Sequence, residues 1–98
     1  MSSSLSEAFK AETTSLGEYG PFDHISCLTH SSDGSAWGFR ARKSGKHYVI
    51  INGKEYGPYK GVSIPGFIED GSCVFYAATK TKPSYYRVER VKVMVSCE

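Results

Sequence analysis

Glu18-Tyr19-Gly20-Pro21-Phe22 and Glu55-Tyr56-Gly57-Pro58-Tyr59 stand thirty-seven residues apart and decide how this chain is read. Sliding the sequence by that interval also superposes Ser26 on Ser63, Asp33-Gly34-Ser35 on Asp70-Gly71-Ser72, Ala41 on Ala78, Lys43 on Lys80 and Tyr48 on Tyr85. Eleven identities result where chance supplies about two or three, and Ile25/Val62, Phe39/Tyr76 and Ile51/Val88 add conservative pairs. A fixed period in this range marks a chain assembled from copies of one supersecondary unit.

Within each unit the local pattern is β. Ser31-Ser32-Asp33-Gly34 is a turn in which Gly takes positive φ and Asp bonds the backbone ahead. Trp37, Phe39 and Ala41 then alternate with smaller or polar residues, the mark of a strand with one packed face, and the period carries that face onto Val74, Tyr76 and Ala78. Ser44-Gly45 is a second turn, Tyr48–Ile51 a β-branched strand, Asn52-Gly53 a strong hairpin signal, and Glu55–Tyr59 the fourth strand. In the second unit Lys82-Pro83-Ser84 replaces Ser-Gly, and Glu89-Arg90 stands where Asn52-Gly53 stood. Val91, Val93 and Val95 predict a terminal strand, and Pro65 predicts an edge or a bulge in the unit's first strand.

The expected class is all-β: two 37-residue, antiparallel, four-stranded units. A single domain over residues 16–98 holds repeats 18–54 and 55–91 and a C-terminal strand, preceded by an N-terminal arm, residues 1–15. In the arm, Ser4 and Glu7 offer a capping box with Leu5, Ala8 and Phe9 as an apolar stripe, and Ala11–Leu16 follows as a strand.

The order of Ser31 to Gly34 and Asp70-Gly71, Trp37–Ala41, Gly45-Lys46, Asn52-Gly53-Lys54 and Glu55–Tyr59 resembles the WD40-like repeats of TolB-type β-propellers over about residues 16–95. Two departures stand out: His30 and Ser32 interrupt the apolar lead into the turn, and no Trp-Asp dipeptide is present. The resemblance implies propeller-like blades. Blades bury both faces against neighbours, and two cannot close a ring, so it further implies completion by oligomerisation.

Composition narrows the function classes. Of 98 residues 40% are hydrophobic and 22% charged, with twelve Lys+Arg against ten Asp+Glu, which argues against disorder and disfavours a dedicated nucleic-acid binder. No apolar run is long enough for a membrane span, and residues 1–7 carry no secretory pattern. Cys27, Cys73 and Cys97 lack metal-site spacing, so a reduced cytoplasmic protein is expected, with Cys27 and Cys73 as small apolar strand residues and no metal or cofactor.

No nucleophile elbow, phosphate loop or metalloprotease motif appears. The expected function is a non-catalytic binding or scaffold module that self-associates, with protein or ligand bound on Tyr19, Tyr56, Tyr59, Arg40 and His24. The aromatic members recur at one place in each unit, which equally suits packing between units. A rival reading places a small-molecule or hydrolytic site at the centre of an oligomeric ring, using His24, Asp23 or Lys60. Two further readings are a weak nucleic-acid surface on the basic hairpins around Arg40–Lys46 and Lys80–Lys92, and a partial propeller completed by a different protein. Asp33 and Asp70 read as turn residues, and His30 and His47 as surface or packing residues, because no histidine recurs at its counterpart.

Overall fold

A computed structural model describes residues 11–95, all of whose regular structure is β. Strands β1 (His24–His30), β2 (Trp37–Lys43), β3 (Lys46–Ile51) and β4 (Lys54–Tyr59) form one antiparallel sheet in sequence order. The second sheet contains β5 (Gly61–Val62), β6 (Gly66–Phe67), β7 (Cys73–Lys82) and β8 (Tyr85–Val93). Here β5 and β6 lie in line along one edge of β7, and β8 runs along the other. Buried Pro65 falls between β5 and β6 on that edge, where a residue without an N–H is tolerated.

The turns follow their chemistry. Ser44 and Gly45 have φ of 54° and 76°, and Asn52 and Gly53 have 50° and 87°, the paired positive values of a type I′ hairpin. Asn52 fastens its turn twice: its N–H donates to Trp37 O at 2.9 Å, and its side-chain oxygen accepts from Trp37 N at 2.9 Å. Gly20-Pro21 and Gly57-Pro58 are both cis, and Gly20 and Gly57 share a φ of 136°.

The larger core lies between the sheets, where Val49 and Ile51 of β3 pack with Cys73, Phe75 and Ala77 of β7. Tyr56 and Tyr59 of β4 lie over Phe75, at ring centroid distances of 6.3 and 6.0 Å. A smaller core on the other face of the first sheet joins Phe39, Ala41 and Ile50. It is covered by a strap, residues 18–22, that pairs with no strand among the described residues: Phe22 lies 6.3 Å from Phe39 and Tyr19 lies 5.4 Å from Trp37.

The structure departs from the sequence expectation at several points. The buried face of β7 is Cys73, Phe75 and Ala77, whereas Tyr76 is 51% exposed. The cause is a one-residue slip at the Asp-Gly turn: Ser31 N–H donates to Ala36 O, five residues on, but Ile68 N–H donates to Ser72 O, four residues on. In a strand a slip of one exchanges the faces, so Phe75 and not Tyr76 becomes the structural counterpart of Phe39. Next, β8 runs unbroken through Glu89-Arg90, so no turn forms there. The β7–β8 hairpin turns at Pro83-Ser84, as the sequence suggests, and without a break at Glu89-Arg90 Val91 lies opposite Phe75 as Ile50 lies opposite Phe39. Finally, residues 11–16 form no strand, and the capping box at Ser4 and Glu7 lies outside the described residues. Cys73 is buried as expected, but Cys27 sits at a bulge between Ser26 and Thr29 with a φ of 58°.

Candidate functional site

The five candidate residues divide among separate places. Arg40 and His24 come together on the edge side of β1 and β2, with His47, Ser26 and Val62 around a cleft of about 160 Å³. Arg40 closes its floor by donating from Nη1 to Val62 O at 3.3 Å, which ties the first sheet to β5. Tyr19 lies on the strap against Trp37 and donates its hydroxyl to Leu16 O at 2.5 Å. Tyr56 and Tyr59 are half-buried between the sheets. Burial, then the nearby Glu89 and Tyr56, pushes the Tyr59 hydroxyl above its ordinary pKa. The recurrent aromatics therefore join neighbouring layers and do not form one rim.

A concavity of about 570 Å³ opens between the two Asp-Gly turns, lined by His30, Ser31, Asp33, Phe67, Asp70 and Val95. The motif that builds it, Asp-Gly-Ser in each unit, is plain in the sequence, but its meeting across units is a tertiary fact. Both carboxylates are consumed locally. Asp33 accepts from Ser35 N–H at 2.9 Å, Ser35 Oγ at 2.7 Å and Ser31 Oγ at 2.9 Å, and these bonds lower its pKa to about 2. Asp70 accepts from Ser72 Oγ and Ser72 N–H and pairs with Lys92 at 3.1 Å, again lowering its pKa to about 2. Carboxyls held ionised in this way are poor general acids. His30 Nδ1 is taken up by its neighbour's carbonyl, Ser31 O, at 2.7 Å.

Burial raises the pKa of the Cys73 thiol, the reverse of what a nucleophile needs. Among the described residues no three His, Cys, Asp or Glu side chains gather to hold a metal ion. Asp23 and Lys60, the other members of the ring-centre reading, hold strand ends: Asp23 N–H donates to Arg42 O and Lys60 N–H to Ala78 O, both at 2.8 Å. The side chain of Asp23 also accepts from Ser44 N–H at 3.0 Å.

Exposed apolar groups concentrate elsewhere. Tyr76 (51%), Val88 (68%) and Tyr86 (55%) occupy the outer face of β7 and β8, with Ala78 between the first two. Lys80, Arg90 and Lys92 share that face. Among the described residues no strand pairs with the far edge of β8. Sequence reasoning missed this face because the expected phase placed Tyr76 inside.

No protein-family model, curated protein or solved structure matches the chain.

Proposed function

We propose that this chain is a non-catalytic binding or scaffold module of propeller-like blades that self-associates, as the WD40-like resemblance implies. The observation that carries the reading is the repeated layering of aromatic residues. Tyr59 lies on Phe75 between the sheets, and its counterpart Phe22 lies in the same way on Phe39, but from a lone strap. Among the described residues, the first sheet thus has a neighbour on one face and only a strap on the other, while the outer face of the second sheet is uncovered. Tyr76, Tyr86 and Val88 on that outer face are 51%, 55% and 68% exposed. Spare surface of this kind suits a subunit that is completed by others.

Light scattering on a size-exclusion column at two concentrations tests the reading. A trimer or tetramer is expected, since two blades per copy then make a ring of six or eight. A single 10.8 kDa species at both concentrations overturns it.

One observation favours a second reading, a weak polyanion surface. Residues 73–93 contain Lys80, Lys82, Arg87, Arg90 and Lys92 against Glu89 alone, a net charge of +4 in a chain whose total is +2. The β2–β3 hairpin, residues 37–51, is its basic counterpart, with Arg40, Arg42, Lys43 and Lys46 and no acidic residue.

A further inference from the structure

We infer that the strap of one copy, residues 18–22, completes the second sheet of another by pairing along the free edge of β8. This rests on the self-association proposed above and names the segment and edge that carry it. The strap and β4 are the same peptide in sequence and in backbone. Both read Glu-Tyr-Gly-Pro-aromatic, both glycines have a φ of 136°, and each places its final ring on the Phe of a facing strand at 6.0 to 6.3 Å. Their hydrogen bonds leading out also match, Asp23 to Arg42 and Lys60 to Ala78. The difference is that β4 has β3 beside it, whereas among the described residues the strap has no strand beside it. Conversely β8, which stands to β7 as β3 stands to β2, has nothing in the place of β4 among the described residues.

The register follows from the pairs within the chain. Tyr56 lies opposite Val49 and Tyr59 opposite His47. Val49 and His47 correspond to Arg90 and Val88, because Phe39–Ile50 corresponds to Phe75–Val91. Tyr19 of one copy therefore comes opposite Arg90 of another, and Phe22 opposite Val88.

The side chains suit this register. Lys54 already places its ammonium 5.6 Å from the Tyr56 ring, and Arg90 beside Tyr19 offers the same kind of cation–π contact. Val88, 68% exposed in the free chain, gains the Phe22 ring. The strap keeps Tyr19 and Phe22 on Trp37 and Phe39, so the joined edge also brings Tyr76 and Ala78 of one copy towards the aromatic layer of the next. The contact is heterologous, and such contacts generate rings when the rotation closes.

Mixed disulfide trapping tests the register. A Tyr19→Cys chain and an affinity-tagged Arg90→Cys chain are mixed under mild oxidation, and the linked peptides are identified by mass spectrometry. Opposite residues of an antiparallel pair bring Cβ atoms within about 4.5–5.5 Å, close to disulfide reach. The expected product is a 19–90 crosslink of twice the chain mass, formed in larger yield than from Tyr19→Cys with Lys46→Cys, which stands at the start of β3 in the first sheet. An oligomer that yields only 90–90 crosslinks, or no crosslink above the Lys46→Cys control, overturns the strap exchange and leaves self-association standing. A monomer by light scattering overturns both. An untagged peptide spanning residues 15–23 gives a second readout without disulfides: it is expected to dissociate the oligomer by occupying β8, and an oligomer unmoved by saturating peptide counts against the exchange.

Discussion

The two Asp-Gly-Ser turns show how much structure three residues can hold. Asp33 and Asp70 each satisfy the backbone N–H and hydroxyl of the serine two positions on, which closes the turn ahead of a strand. These bonds favour the carboxylate and bring both pKa values from 3.8 to about 2. The sign follows from linkage. A folded pKa below the unfolded one means that the unfolded chain binds protons first as pH falls. The stabilisation is therefore complete above the unfolded value near 3.8 and is lost as pH falls through the window down to about 2. Urea unfolding at pH 5 and at pH 2.5 should show a drop in the wild type that is smaller in Asp33→Asn and in Asp70→Asn. Equal acid sensitivity in all three proteins would sink the assignment.

Among the elements, β7 separates what sequence can disclose from what packing adds. Its existence, its alternation and the turn at Pro83-Ser84 were legible, because period-two patterning and turn residues are local signals. So were the turns at Ser44-Gly45 and Asn52-Gly53 and the interruption at Pro65. But β8 runs through Glu89-Arg90, where the sequence suggests a turn. The inward face was not legible. Ser35 and Ser72 occupy matching places in the sequence, yet the second turn closes one residue earlier, and that difference is made by hydrogen bonds no identity count contains. The same applies to the candidate site: Arg40 and His24 meet, but Tyr56 and Tyr59 are drawn between layers by a neighbouring sheet. A pair of substitutions measures the consequence. Phe75→Ala empties a fully buried position and should cost about 3–5 kcal/mol. Tyr76→Ala, at an exposed position, should stay within about 0.5 kcal/mol when measured in dilute solution. Denaturant unfolding of both variants checks the order, and the reverse order would restore the 37-residue phase.

For the whole molecule, the uneven placement of charge matters more than the total. The structure is elongated, 69 × 31 × 19 Å, and the β7–β8 ribbon extends past its sheet neighbours, since β5 pairs no further along β7 than Ala78. Lys80, Lys82 and Arg87 near the ribbon's tip lie beyond the edge positions assigned to the strap. The tip thus stays free when copies join, and a ring would present several tips at once. Tyr85 and Tyr86 beside them, 63% and 55% exposed, offer faces on which bases stack. A fluorescent single-stranded oligonucleotide should therefore bind at low salt. If these three cations neutralise three phosphates, log K should fall against log salt with a slope of about −2, at roughly −0.7 per phosphate. Replacing Lys82 and Arg87 by Gln should bring the slope to about −0.7 while leaving the oligomer mass unchanged. Binding that ignores salt, or a slope that ignores the substitutions, would remove the ribbon from consideration and leave the module's recognition to its cleft at Arg40 and His24.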